Sequence, residues 1–148
     1  MLISWEQACL LADDLATQVT KGDCQLNFIV AIARGGFVPA RLLSARLDVA
    51  RLASIGIRYI DDSRTRREFY SFPHPVGNDH RILLVEDVLE TGQSLLDARD
   101  RLVEAGARVW TAAYFYQSRS AVPRTSRWAC GTSRSCFPGT EDLPAVLP

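Results

Sequence analysis

No hydrophobic stretch of the sequence approaches the roughly 20 residues of a membrane-spanning helix. The opening Met1-Leu2-Ile3-Ser4-Trp5-Glu6 lacks the basic segment and apolar run of a secretory leader. A cytoplasmic protein without a membrane partner is therefore expected. Net charge is also missing, because 17 Lys and Arg offset 17 Asp and Glu. No whole-molecule field gathers nucleic acid, so an anion site must be built locally. Histidine is scarce, with only His74 and His80, and Cys9, Cys24, Cys130 and Cys136 form no Cys-x-x-Cys pair. These spacings argue against a zinc site or a disulfide framework and for reduced thiols. Internal repeats and heptads are absent too.

What is present is a chain of 148 residues, 47% hydrophobic, which suits one compact domain with a single core. Ser4 and Gln7 are spaced as a capping box, and Ala8, Leu11, Ala12, Leu15 and Val19 mark one face of the helix that follows. Lys21-Gly22-Asp23 ends it. Phe28 to Ala33 is a continuous apolar run, as in a strand buried on both faces. Arg34-Gly35-Gly36 turns into a helix with Pro39 near its start and Leu42, Leu43 and Leu47 inward. Leu52 to Ile60 reads as a strand. Residues 61–80 are polar, hold Arg64, Arg66 and Arg67, and read as a mobile functional loop or a ribbon projecting from the sheet. Arg81 to Val85 is a further buried strand ending on Glu86-Asp87. A loop through Gly92 opens a helix near Ser94, with Leu95, Leu96, Ala98, Leu102 and Val103 inward, and Val109 to Tyr116 is the last clear strand. The alternation predicts an α/β fold: a mostly parallel central sheet with helices on both faces and its ligand site at the carboxyl ends of the strands.

The most informative segment is Val85-Glu86-Asp87-Val88-Leu89-Glu90-Thr91-Gly92-Gln93-Ser94. Its helix start offers unpaired N–H groups and the positive end of the helix dipole, which suit a phosphate. Thr91 and Ser94 add hydroxyl donors, and Gly92 allows close backbone approach. Glu86 and Asp87 would repel that same phosphate, but they suit sugar hydroxyls or a metal. A phosphorylated sugar satisfies both halves.

The full pattern resembles the ribose-phosphate signature of the type I phosphoribosyltransferases: an apolar strand, two acids, two apolar residues, a further acid, then Thr-Gly-x-Ser. The resemblance implies that Glu86 and Asp87 hold the ribose hydroxyls directly or through Mg²⁺, and that Thr91, Gly92, Gln93 and Ser94 cradle the 5-phosphate of phosphoribosyl pyrophosphate. Glu90 stands where purine-specific members usually carry an Asp as proton acceptor, so Glu90 and Asp87 become the catalytic candidates. Ala31 to Ala40 resembles the family's pyrophosphate loop, in the variant of xanthine-guanine and hypoxanthine-guanine enzymes. There Arg34 would pair with phosphate and Gly35 and Gly36 would form an anion-binding nest. The resemblance also implies a non-proline cis peptide at Ala33–Arg34, a flexible loop over about 61–80, and a homo-oligomer, either dimer or tetramer. The loop arginines either neutralise departing pyrophosphate or are simply solvated.

The resemblance covers about residues 1–116 and weakens beyond them. The family's base-recognising hood should occupy 117–148, making the whole a single domain. Gln117 stands where a Lys is expected, and the base-stacking aromatic is Trp128 or Phe137. This tail reads either as a diverged base pocket or as a changed reading frame. The implied activity is transfer of the phosphoribosyl group to a purine base with Mg²⁺. Two other classes remain open: a non-catalytic binder of phosphoribosyl pyrophosphate or nucleotide on the same fold, and an RNA-binding regulator using the 61–80 arginines. No helix-turn-helix extension is read in the sequence, so a DNA-binding repressor of the fused type is not expected.

Overall fold

A computed structural model describes residues 3–63 and 65–116. Its elements run α1 (Trp5–Lys21), β1 (Phe28–Ala33), α2 (Phe37–Arg46), β2 (Leu52–Tyr59), β3 (Arg67–Ser71), β4 (Arg81–Leu89), α3 (Gln93–Glu104) and β5 (Arg108–Tyr116). The five strands form one sheet in the order β3-β2-β1-β4-β5. All neighbours are parallel except β2 and β3.

Local chemistry starts the first helix as expected. Ser4 Oγ accepts from the Gln7 N–H, and Gln7 Oε1 accepts from the Ser4 N–H, so both ends of the capping box are closed. The apolar face of α1 packs with Ala40 and Leu43 of α2 on one side of the sheet, against Ile29, Ala31, Leu83, Val85 and Ala112. Leu95, Ala98 and Leu102 of α3 cover the other side, against Phe28, Val30, Ile32, Ile82 and Leu84. Because β1 and the first half of β4 are covered on both faces, every residue from Phe28 to Ile32 and from Ile82 to Val85 is buried. This explains why they read as unbroken apolar runs. Leu43 is fully buried, whereas Leu42 and Leu47 are half-buried at the margin of the same core.

Of the two readings of residues 61–80, a loop or a ribbon, the structure shows the ribbon. Arg67 to Ser71 forms an antiparallel edge strand, with Tyr59 opposite Arg67 and Ile57 opposite Phe69. Its tip is pinned by Asp61, whose carboxylate accepts from the Arg66 N–H at 2.8 Å and the Thr65 hydroxyl at 2.5 Å, and also from the Ser63 hydroxyl. These donors hold its carboxyl well below the usual carboxylate range. The expected end of β4 at the acidic pair needs correction. The strand runs on to Leu89 because β5 keeps pairing with it, Glu86 opposite Ala113 and Leu89 opposite Tyr116.

Candidate active site

The sheet order places a topological switch between β1 and β4. The chain leaves β1 through α2 towards β2 on one side, and leaves β4 through α3 towards β5 on the other. A crevice opens at the carboxyl ends of two such strands. Here the two strands part before they end. The pairing of β4 with β1 stops at Val85, opposite Ala31, although β1 runs on to Ala33, whereas the pairing of β4 with β5 continues through Glu86. The acidic pair therefore sits on the stretch of β4 that no longer pairs with β1.

The turn after β1 folds into that space. The Ala33–Arg34 peptide is cis, as the resemblance implies. Gly35 then passes so close to Asp87 that a Cβ there would lie 2.3 Å from the carboxylate. A Cβ on Gly36 would lie 2.4 Å from the Val85 carbonyl oxygen and 2.7 Å from that of Ile32. The two glycines thus serve first to bring the loop against β4. Of the two N–H groups expected as anion donors, that of Gly36 donates to the Ile32 carbonyl at 2.9 Å. Arg34 is exposed on the turn.

Asp87 is half-buried, and its Oδ1 accepts from the Val88 N–H at 2.8 Å. Glu86 is half-buried as well, while Glu90 and Thr91 are exposed. Successive side chains of a strand point to opposite faces, so Glu86 and Asp87 approach the crevice from different sides. Gly92 caps α3 with φ 78°, in the left-handed region that favours glycine. The N–H groups of the first helical turn beyond it have no acceptor within the helix. Thr91 Oγ1 receives the Gln93 N–H at 3.3 Å. Ser94 stands half-buried in that first turn.

The side chain of Gln93 is engaged elsewhere. Its amide donates to Asp97 Oδ1 at 3.0 Å, which turns the side chain away from the loop. Asp97, Tyr59 and Arg67 form a cluster at this edge that the residue order alone does not single out. On a helical wheel Asp97 lies about 160° from Leu95 and belongs to the polar side. The β2–β3 ribbon covers that flank and buries it. The one trace of the cluster in the sequence is the Gln93-to-Asp97 spacing of one helical turn, which the sequence reading leaves unused. The base-binding candidates Gln117, Trp128 and Phe137, and likewise Arg64, lie outside the described residues.

Among the described residues no three His, Cys, Asp or Glu side chains gather into a metal cage. Two carboxylates beside a helix start would instead suit Mg²⁺, which takes one or two carboxylates and completes its shell with water and substrate oxygens. Among the same residues no helix is long and apolar enough to cross a membrane.

The arrangement can therefore hold an anion at the start of α3, hydroxyls or a metal at Asp87 and Glu86, and a second anion by the Arg34 turn. Comparison with known proteins places the chain in a family. The family model of the phosphoribosyl transferase domain matches residues 4–135. The xanthine-guanine phosphoribosyltransferase of Idiomarina loihiensis is 26% identical over 105 residues, which are 70% of this chain and 65% of that enzyme's length. Among solved structures, a purine phosphoribosyltransferase from Pyrococcus horikoshii superposes with a TM-score of 0.72 at 25% identity, over 82% of this chain and 80% of that one. The Helicobacter pylori xanthine-guanine-hypoxanthine phosphoribosyltransferase shares the fold, with a TM-score of 0.70 at 21% identity over 80% and 79% of the two chains.

Proposed function

The chain belongs to the phosphoribosyl transferase domain family, and from that premise we propose that it passes the 5-phosphoribosyl group of phosphoribosyl pyrophosphate to a nitrogen of a purine base. The observation that carries the reading is the contact of Gly35 with Asp87. It sets a carboxylate for ribose between two anion sites, the helix start after Gly92 and the turn at Arg34. A substrate with a phosphate at one end of a ribose and a pyrophosphate at the other fits that order. The relatives named for purine and xanthine-guanine substrates support a purine as acceptor.

In this reaction the bond from the anomeric carbon to the pyrophosphate oxygen breaks, a carbon–nitrogen bond forms, and pyrophosphate leaves. Thr91, Ser94 and the first N–H groups of α3 hold the 5-phosphate. Asp87 and Glu86 fix the ribose hydroxyls, directly or through Mg²⁺. Arg34 offers a bidentate cation to the pyrophosphate. Glu90 accepts the proton that the base nitrogen loses. Mg²⁺, held at Asp87 and Glu86, would neutralise charge on the departing pyrophosphate. The protein's share is mostly positioning and charge stabilisation. Gln117 would face the purine edge, and Trp128 or Phe137 would stack on the ring. The same reading takes the chain as a homo-oligomer, a dimer or tetramer, which sedimentation velocity distinguishes from a monomer.

Pyrophosphate release with Mg²⁺ and phosphoribosyl pyrophosphate tests the reaction across hypoxanthine, guanine, xanthine, adenine, uracil and orotate. Turnover is expected with at least one purine. Asp87→Asn should lower kcat/KM by roughly ten- to a hundredfold, the loss of one charge-assisted hydrogen bond, without changing the fold by circular dichroism. Binding of phosphoribosyl pyrophosphate without turnover on any base would instead favour a regulatory binder.

A further inference from the structure

Asp97 is a carboxylate in a place where burial is costly. It is only 6% exposed, just beyond the first turn of α3, and such a group persists in a folded protein when its oxygens are paired. Three partners meet it. Gln93 Nε2 donates to Oδ1 at 3.0 Å, the Tyr59 hydroxyl donates to Oδ2 at 3.0 Å, and Arg67 Nε stands 3.5 Å from Oδ1.

These partners come from three elements. Gln93 opens α3, Tyr59 ends β2, and Arg67 begins β3. Tyr59 and Arg67 are also cross-strand partners. One carboxylate thus ties a single rung of the β2–β3 ribbon to the helix turn that follows Gly92. Because Gln93 and Arg67 share the same oxygen, the guanidinium stands beside the start of α3. Of the Arg67 nitrogens, Nε lies nearest to Asp97. Among the described residues neither of its terminal nitrogens makes a hydrogen bond, and its side chain is about half exposed. That leaves the edge of the guanidinium which pairs with phosphate in bidentate fashion.

We propose that Asp97 is a positioning residue for the phosphorylated substrate. It anchors Arg67 at the rim of the α3 cradle, leaves the terminal nitrogens to a substrate phosphate, and draws the Gln93 side chain along the helix and away from the first-turn N–H groups. The inference rests on the transferase reading above. Its sign separates it from a plain field effect. A negative charge near a helix start disfavours a bound phosphate, so removing it should by itself tighten binding. Loss of an anchor should weaken binding.

The test is steady-state kinetics and calorimetry with Mg²⁺ and phosphoribosyl pyrophosphate on wild type, Asp97→Asn, Arg67→Gln and the double variant. Melting temperatures are recorded alongside. Asp97→Asn should raise KM and Kd for phosphoribosyl pyrophosphate about tenfold, the scale of one charge-assisted hydrogen bond, with KM for the base within about twofold. The double variant should be no worse than Arg67→Gln, because both changes remove one arrangement. Arg58→Gln, which breaks the exposed pair with Glu68 on the same ribbon, is the control and should leave both constants unchanged. Unchanged or tighter binding in Asp97→Asn overturns the proposal, as does additivity in the double variant. A fall in melting temperature with KM intact would mark Asp97 as purely structural. Should Asp97→Asn fail to fold, the half-exposed Arg67→Gln carries the same expected rise, and an unchanged KM there is equally fatal. Wild type that neither binds nor uses phosphoribosyl pyrophosphate removes the transferase reading itself. Wild type that turns over beside an indifferent Asp97→Asn removes only the positioning role.

Discussion

A methyl group at position 35 has nowhere to go except into the carboxylate of Asp87, 2.3 Å away. The side chain it meets can rotate, so Gly35→Ala should displace Asp87 rather than unfold the protein. Activity is expected to fall at least tenfold with little change in melting temperature, a split read by parallel kinetics and calorimetry. Gly36→Ala differs because its methyl meets backbone carbonyls of β4 and β1 at 2.4 and 2.7 Å. Overpacking against groups that cannot rotate away costs about 1–3 kcal/mol, so stability should fall together with activity. A methyl group on Gly77 would meet nothing within 4 Å, and Gly77→Ala supplies the neutral comparison.

Strand β5 carries a polar atom that its burial does not reward. Thr111 is 1% exposed, and its hydroxyl has no hydrogen-bond partner among the described residues. Valine has nearly the same shape and suits a strand. Thr111→Val should therefore stabilise the protein by about 1 kcal/mol, raising the melting temperature by roughly 3 °C, with kinetics unchanged. A lower melting temperature would show that the hydroxyl has a partner after all. Elements of this kind were legible in the sequence wherever burial is symmetrical. The apolar runs of β1 and early β4, the inward stripe of α1 and the Ser4–Gln7 cap all have local causes. β3 was hidden because it is an edge strand with mostly exposed residues, so it lacks a strand's apolar signature. The far end of β4 was hidden because its continuation depends on β5. The acidic motif and the Arg34 turn could be read from residue order. Their contact, the engagement of the Gly36 N–H, and the Asp97 cluster depend on which strands become neighbours.

At the scale of the whole molecule, a ligand held by groups from β1, β4 and α3 together should bind only the folded chain. Phosphoribosyl pyrophosphate at a hundred times its dissociation constant is expected to add about 2.7 kcal/mol of stability. A thermal melt with Mg²⁺ should show the upward shift, and chelation of the metal should shrink it. An equal shift with and without metal would show that Mg²⁺ takes no part in binding. The position of that site also sets when it can exist. Gly35 and Asp87 are about fifty residues apart along the chain, and they meet only after β4 has docked beside β1. Contacts of such long sequence separation form late and slowly. A chain emerging from the ribosome thus has no competent pocket until β4 and the start of α3 have been made, and substrate cannot template the earlier steps. Recovery of ligand binding after dilution from denaturant should accordingly lag behind the formation of α1, and it times the closing of the central pair of strands.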